Sequence, residues 1–142
     1  MSDLQRFKEA QRRDFDTALA EIKNGRKQSH WMWYIFPQIH GLGFSSMSAY
    51  YAIKDLKEAE DFLNDPYLGG NLRKISGALL ELDTDDPHRV FGSPDDLKLL
   101  SCMTLFEAAG GRGGVFTRVI EKYYKGRRDR KTVEILGRKK KL

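Results

Sequence analysis

The sequence contains a single cysteine, Cys102, among its 142 residues. One cysteine cannot form an intramolecular disulfide, and its apolar neighbours favour a small buried side chain. Because nothing points to an oxidising compartment, we expect a cytoplasmic protein. Histidines are also few, and His30, His40 and His88 are scattered along the chain. One cysteine and three scattered histidines lack the ligand spacing of a structural zinc site, so no metal site is predicted.

Long hydrophobic runs are missing as well. A helix that spans a bilayer needs about 20 apolar residues. The uncharged stretch from Trp31 to Gly43 is shorter and is interrupted by Pro37, Gln38 and His40. The N-terminal MSDLQRFKEAQRRD is charged from its third residue on, which argues against a secretory signal peptide. We therefore expect neither a membrane span nor a membrane partner.

The positive charge is concentrated at one end. Residues 125–142 contain nine Lys or Arg against two acids, a net of +7, and since the whole chain carries +5, the other 124 residues sum to −2. Such a cluster can bind nucleic acid through phosphates. Short basic ends are also common solubilising tails, and no RNA- or DNA-binding motif accompanies this one. Nucleic acid is therefore disfavoured as a partner.

Helix-start signals followed by apolar stripes recur along the chain and predict an all-α fold. Asp55 with Glu58, the dipeptide Asp65-Pro66 and the run SPDD at 93–96 are typical N-terminal caps. In the last of these we expect a cap followed by proline as the first helical residue. Ser46 or Ser48 is expected to cap another short helix. One predicted helix carries a core-facing stripe at steps of four and three, formed by Leu68, Leu72, Ile75, Leu79 and Leu82.

These signals predict one compact domain of about six to eight short helices over residues 1–137, followed by a basic tail at 138–142. The last helix is expected to end at Gly137. The run Trp31–Phe36 is left open between a short strand and a buried helical turn, because periodicity cannot decide at this length. The GGRGG run at 110–114 lacks the spacing of a dinucleotide or P-loop fingerprint. It is interpreted as a loop between helices, and no cofactor is predicted.

The segment GRKQSHWMWYIFPQIHGLGFSS, at 25–46, is the main candidate site. Arg26 and Lys27 supply cations that suit phosphate, while Trp31 and Trp33 supply faces on which a flat ring can stack. Exposed amides in the glycine turn at 41–43 could also contact an anion. The alternative is a structural role, in which the aromatic residues form the core and Arg26 and Lys27 lie at a solvent-exposed helix end.

Three more candidate residues come from the same segment and from a second motif. His30 is of the residue type that commonly exchanges protons in catalysis, and Gln38 follows the proline that ends the apolar run. In SPDDLKLLSCMTLF, Lys98, Ser101 and Thr104 are spaced three apart and can share one helix face. We expect Arg26, His30, Trp33 and Gln38 to converge on one pocket, with Asp96 or Lys98 arriving from the second motif.

These motifs resemble a bacterial family known as domain of unknown function 1810. The similarity lies in the segment at 25–46, in YYAI with EAEDFLNDPYLGGNLR, and in GSPDDLKLLSCMTLF, and it extends from LQRFKEAQ to TVEIL. The resemblance implies a compact, mainly helical fold and no established activity. Phe44 departs from the family pattern, in which a polar residue often follows GLG.

Three functions compete on this basis. The first is binding or enzymatic processing of a small anionic, nucleotide-like ligand. Arg26, Lys27, Trp31, Trp33, Gln38, Lys98 and Thr104 would bind it, and His30 with Asp96 would transfer protons if catalysis occurs. The alternative is a protein-interaction module that uses an aromatic patch and the basic C-terminal end. A second alternative is a nucleic-acid-binding accessory protein. Whether the protein is an enzyme is left open.

Overall fold

The computed structural model describes residues 3–140, with side chains to residue 138, and within that range it is all-α. The predicted fold class is confirmed. The described residues form nine helices, one more than the upper end of the predicted range, because the undecided run Trp31–Phe36 contains a four-residue helix. The helices are α1 (Gln5–Lys23), α2 (Met32–Ile35), α3 (Ser46–Tyr51), α4 (Leu56–Asn64), α5 (Pro66–Leu80), α6 (Pro87–Phe91), α7 (Asp95–Gly110), α8 (Val115–Tyr124) and α9 (Arg130–Lys140).

Aspartate caps begin several of these helices, as the sequence predicts. The Asp55 carboxylate accepts the backbone N–H of Glu58 at 2.9 Å. The Asp65 carboxylate accepts the N–H groups of Tyr67 and Leu68, both at 3.0 Å, and Pro66 is the first residue of α5. Each cap satisfies backbone donors that a helix leaves without an internal partner.

Two predicted helix starts were wrong. The cap of α3 is Ser45, whose hydroxyl accepts the N–H of Ser48 at 3.0 Å. α7 begins at Asp95, one residue later than expected, and no side chain caps it. Its first turn is closed by backbone carbonyls instead, since the carbonyl of Gly92 accepts the N–H of Asp96 at 2.9 Å.

The core lies where α5 meets α1, α4 and α8, and where α7 meets α4, α8 and α9. Four residues of the predicted stripe lie on α5 and are fully buried: Leu68, Leu72, Ile75 and Leu79. Leu82, expected on the same helix, comes after α5 has ended at Leu80 and is partly buried. A row of phenylalanines crosses the centre: the ring centroids of Phe7 and Phe62 are 5.2 Å apart, those of Phe62 and Phe106 5.2 Å, and those of Phe106 and Phe116 6.1 Å. This row joins α1, α4, α7 and α8 through one core.

The predicted end of the last helix at Gly137 was also wrong, since α9 continues to Lys140. Glycine costs about 1 kcal/mol in a helix relative to alanine but does not forbid helical geometry. The separate tail predicted at 138–142 includes residues 141–142, which lie outside the described residues. Within the described residues, no helix combines the length and the apolar character that crossing a membrane requires.

Candidate functional site

The segment between α1 and α2 is attached to α6 and therefore brings the first candidate motif beside the second. Gly25 adopts a positive φ of 85° directly after α1, and Gly92 a φ of 71° directly after α6. Between these turns the backbone N–H of Lys27 donates to the carbonyl of Val90 at 2.7 Å. Because α6 packs on α7, this bond places Arg26 and Lys27 next to the start of α7.

Glu21 holds the same segment from the opposite side. Its carboxylate accepts the N–H groups of Gln28 (2.7 Å) and Ser29 (2.9 Å), the Ser29 hydroxyl (2.5 Å) and the Trp31 indole N–H (2.9 Å). Burial works to raise the pKa of this carboxyl, but the four hydrogen bonds outweigh it and lower the pKa to about 2. Trp31 is itself buried. It therefore anchors the segment and does not present a face on which a ligand could stack.

The two motifs meet in an ion-pair cluster formed by Lys27, Asp95 and Lys98. Lys27 Nζ lies 3.0 Å from one carboxylate oxygen of Asp95, and Lys98 Nζ lies 3.6 Å from the other. Lys98 Nζ is also 5.5 Å from the centroid of the half-buried Trp33 ring. The acid that links the motifs is Asp95, which the sequence interpretation assigned to helix capping, and not Asp96.

On one side of this cluster lies a cation cleft of about 630 Å³, lined by residues 24–27 and 88–92. Arg26 and Arg89 are both exposed at its wall, and within the described part of the chain neither guanidinium has a hydrogen bond or an ion pair. His88 lies in the same cleft, with Nδ1 3.5 Å from a carboxylate oxygen of Asp96. The cleft therefore presents two uncompensated guanidinium groups to solvent.

On the other side lies a glycine-loop cleft of about 90 Å³ between Trp33, Gln38, the turn at 39–43 and α3. The turn is held by an isolated pairing of Ile39 with Ile53: the N–H of His40 donates to the carbonyl of Ile53, and the N–H of Ile53 donates to the carbonyl of Gln38, both at 2.8 Å. Gly43 packs tightly here, because a Cβ at that position would lie 2.5 Å from the Cβ of Ser48.

The residues predicted to share one pocket are thus divided between two neighbouring clefts. Arg26 and Lys27 line the cation cleft, whereas Trp33 and Gln38 line the glycine-loop cleft, and Lys98 lies between them. His30 is exposed, and its carbonyl accepts the Tyr34 hydroxyl at 3.2 Å.

Two residues with a predicted role in the site, Asp96 and Thr104, have other neighbours in the fold. Asp96 pairs with His88, so the histidine beside this acid is not His30. Thr104 lies in a separate cleft beside α9, and its hydroxyl accepts the N–H of Asp129 at 3.0 Å. Neither residue therefore joins Arg26, His30, Trp33 and Gln38 in the arrangement expected from the sequence.

Sequence reasoning missed His88 and Arg89. Both follow Asp86-Pro87, which reads as an ordinary helix cap, and the cap is real: the Asp86 carboxylate accepts the N–H of His88 at 3.0 Å. The only local signal was two basic residue types on a five-residue helix that ends at a glycine. Their proximity to Arg26 depends on the bond between Lys27 and Val90, which no local pattern encodes.

Among residues 3–140, no group of three or more His, Cys, Asp or Glu side chains is arranged to hold a metal ion. Cys102 is buried, and desolvation raises the pKa of its thiol well above the ordinary value. A buried thiol of high pKa is a poor nucleophile. The chemistry of the site therefore comes from cations, an indole ring, an amide and one histidine beside a carboxylate.

The fold and the site define a small helical protein with a cation-lined cleft next to a tryptophan-lined one. The chain belongs to the family described as "Protein of unknown function (DUF1810)", whose model matches residues 1–136. The resemblance noted in the sequence is confirmed. A similar solved structure is that of the conserved hypothetical protein Rv1873 from Mycobacterium tuberculosis, which is 41% identical, with a TM-score of 0.93 over 95% of this chain and 96% of that one. Comparison with curated proteins finds no significant match.

Proposed function

We propose that this protein binds a small phosphorylated, nucleotide-like ligand across the cation cleft and the neighbouring Trp33 surface. The observation that carries the proposal is the placement of Arg26 and Arg89 in one cleft with neither guanidinium engaged by another described residue. Planar guanidinium groups match phosphate oxygens in bidentate geometry, and charge-assisted hydrogen bonds are about twice as strong as neutral ones.

The charges around the cleft support an anionic ligand. Lys27 is already neutralised by Asp95, and its Nζ also donates to the carbonyl of Ser29 at 2.6 Å. Asp96 lies beside His88, and within the described residues neither Arg26 nor Arg89 forms an ion pair. Lys27 is therefore a structural element of the wall, and the two arginines are the groups that would contact phosphate.

The ring-binding role belongs to Trp33, because Trp31 is buried and hydrogen-bonded to Glu21. Trp33 is half-buried at the glycine-loop cleft, and Gln38 beside it offers an amide that can donate and accept hydrogen bonds at the edge of a base. The ion-pair cluster of Lys27, Asp95 and Lys98 joins this surface to the cation cleft. A ligand with an anionic end and a flat ring matches this order of groups.

If the bound ligand also reacts, proton transfer in this cleft is assigned to His88. Its Nδ1 lies 3.5 Å from a carboxylate oxygen of Asp96, and a carboxylate in that position can orient an imidazole. His30 is exposed and lines neither cleft, and only its backbone carbonyl is engaged, accepting the Tyr34 hydroxyl, so its role as the general acid or base is the weaker assignment.

The test is a thermal-shift series with ADP-ribose, ATP, a sugar phosphate and inorganic phosphate. A ligand at about 100 times its Kd adds about 2.7 kcal/mol of stability, or roughly 5–10 °C in Tm for a domain of this size. Arg26→Gln and Arg89→Gln should each weaken binding about tenfold or more while leaving the Tm of the free protein nearly unchanged. Arg12→Gln is the matched control, since Arg12 is an exposed arginine on α1 outside both clefts.

Two results would contradict the proposal. One is the absence of any shift with all four compounds. The other is a shift that survives unchanged in both Arg26→Gln and Arg89→Gln, because the ligand would then lie outside the cation cleft.

A second candidate function is protein binding through an apolar patch formed by Phe44, Met47 and Tyr50. Phe44 is fully exposed (101%), and no residue of α3 is fully buried, although Tyr51 packs against the core. Exposed apolar patches on small proteins commonly mark interaction sites. Sedimentation velocity over a concentration series tests self-association through this patch: Phe44→Ser should abolish a dimer if one forms. A wild-type protein that stays monomeric throughout would exclude self-association as the use of the patch.

The nucleic-acid alternative rests on residues 125–142, which include side chains outside the described residues, and it stays a prediction from sequence.

A further inference from the structure

A third cleft, of about 430 Å³, lies between α4, α7, α9 and the glycine-rich loop after α7. It is separate from the surface proposed to bind phosphate and contributes nothing to that function. Its volume falls within the range of about 300–1,000 Å³ usual for small-molecule sites. The lining residues that matter for its chemistry are Leu56, Glu107, Arg112, Arg128, Val133 and Gly137.

One wall of this amphipathic cleft is apolar. Leu56 contributes from the first turn of α4, and Val133 and Leu136 contribute from α9. Val133 is 51% exposed, whereas Thr132 and Ile135 on the same helix are buried. A half-exposed valine facing a concave surface leaves apolar area that a ligand could remove from water.

The polar groups opposite this apolar wall, Glu107 and Arg128, already have hydrogen-bond partners within the protein. Glu107 is buried, and its carboxylate accepts from Arg128 Nε at 3.0 Å, from Arg128 Nη2 at 2.5 Å and from the Thr117 hydroxyl at 2.5 Å. The third nitrogen of that guanidinium donates to the carbonyl of Gly126 at 2.8 Å. The hydrogen bond from Arg128 is the main reason why the pKa of Glu107 is lowered. Arg128 is therefore fully engaged and offers no spare charge to a ligand.

Arg112 carries the positive charge of this cleft that is not ion-paired. It sits in the GGRGG loop at the rim of the cleft, is exposed, and has no hydrogen bond or ion pair within residues 3–138. With Glu107 at −1 and Arg112 and Arg128 at +1 each, the cleft carries a formal net charge of +1. Arg112 acts on Glu107 at longer range and helps to lower the pKa of that carboxyl, but the two side chains form no ion pair, and the Arg112 guanidinium stays open to solvent.

Gly137 leaves additional room beside Val133. The two residues are four apart on α9 and therefore lie on the same face of the helix. A Cβ built at Gly137 meets no atom within 4 Å, so packing within the described structure does not require glycine there. The position opens the cleft at a cost in helix propensity of about 1 kcal/mol.

From these features we infer that the amphipathic cleft binds a small carboxylate with an aliphatic body, its apolar part against Leu56, Val133 and Gly137 and its carboxylate on Arg112. The apolar walls explain why a purely polar anion would be a poor ligand. The unpaired guanidinium at the mouth explains why an anionic head group is preferred over a neutral one.

Isothermal titration calorimetry with octanoate as the probe tests the inference on the full chain. Octanoate should bind saturably to one site, and the neutral analogue 1-octanol should bind at least about tenfold more weakly. Arg112→Gln should lower the octanoate affinity about tenfold and bring it close to that of octanol. Arg118→Gln, which removes an exposed arginine on α8 outside the cleft, should leave the affinity unchanged.

Gly137→Leu is the complementary variant, because it fills the cleft without deleting a contact. It should keep the fold, seen as an unchanged helical circular-dichroism spectrum and a Tm at least equal to that of the wild type, and it should abolish octanoate binding. Saturable binding that survives in both Arg112→Gln and Gly137→Leu would overturn the inference, as would equal affinity for octanoate and octanol or no saturable binding at all. None of these outcomes depends on whether nucleotides bind at the cation cleft.

Discussion

Single side chains with several hydrogen bonds organise the loops of this protein. Glu21 gathers four donors from the segment after α1, and Glu107 joins Arg128 to Thr117 at the glycine-rich loop. Lys122 on α8 is a donor where the glutamates are acceptors. Its Nζ donates to the carbonyls of Leu79, Leu80 and Leu82 at and just after the end of α5. Each of these charges satisfies backbone or side-chain groups that would otherwise lie unpaired near the core.

Replacement of Glu21 tests this role. The pKa of Glu21 is lowered from 4.5 to about 2 in the folded protein, so its charge stabilises the fold above about pH 4.5, and this contribution is lost as the pH falls through about 2. Because the side chain is partly exposed, we expect Glu21→Gln to cost about 1–2 kcal/mol near neutral pH, and the difference from wild type should shrink under acid conditions.

Urea unfolding at about pH 7 and about pH 3 measures the effect on the free energy of unfolding. Glu9→Gln is the control, as Glu9 is an exposed glutamate on the same helix. A Glu21→Gln penalty that is the same at both pH values would mean that shape, and not charge, accounts for the loss.

At the scale of helices, local rules explain the starts that a side chain caps, whereas packing accounts for α2. The aspartate caps of α4, α5 and α6 act within three residues of themselves, so the sequence alone locates those starts. α2 is different, since its four residues Met32–Ile35 are held by burial among neighbours more than by any cap. An isolated helix of that length would not form in water.

The stripe on α5 gives the expected result at this scale. Leu79 is completely buried, whereas Leu97 on α7 is 63% exposed. Leu79→Ala should reduce the free energy of unfolding by about 2–5 kcal/mol through lost burial and the cavity left behind. Leu97→Ala should change it by less than about 0.5 kcal/mol, as is usual for surface substitutions. Chemical denaturation measures both, and similar values for the two variants would show that α5 does not pack as described.

At the scale of the whole molecule, one ion pair joins regions that are distant in sequence. Lys27 follows α1 and Asp95 begins α7, yet their side chains are 3.0 Å apart and only 9% and 19% exposed. Charges this shielded interact more strongly than surface pairs. The pair therefore contributes to the position of the cation cleft relative to Trp33.

A double-mutant cycle with Lys27→Met and Asp95→Asn measures that coupling. We expect an interaction energy of about 1–2 kcal/mol from the unfolding free energies of the four proteins. The same cycle on Lys57 and Asp61, a pair on one turn of α4 in which the lysine is 74% exposed, should give only about 0.3–0.5 kcal/mol. Equal coupling in the two cycles would contradict a structural role for the Lys27–Asp95 pair.

The candidate site shows where prediction from sequence stops. Arg26, Lys27, Trp33, Gln38 and Lys98 are polar or aromatic groups of two motifs. The first four line two clefts, and Lys98 lies between these clefts without lining either. The same reasoning could not separate Trp31 from Trp33, although they are two residues apart. One indole is buried against Glu21 and the other borders a cleft, and only the direction of α2 relative to α1 decides which.

By itself the sequence determined the helical class, the helix starts with aspartate caps, the buried stripe of α5 and the family, because caps and apolar spacing act within a turn or two of the chain. The tertiary structure alone decided that Asp95 and not Asp96 meets Lys27, that His88 and not His30 lies beside Asp96, and that Arg26 shares a cleft with Arg89. Those pairings depend on how α6 packs on α7 and how the segment after α1 bonds to Val90. Contacts between residues some sixty positions apart come from the packing of whole helices, which no local pattern of side chains specifies.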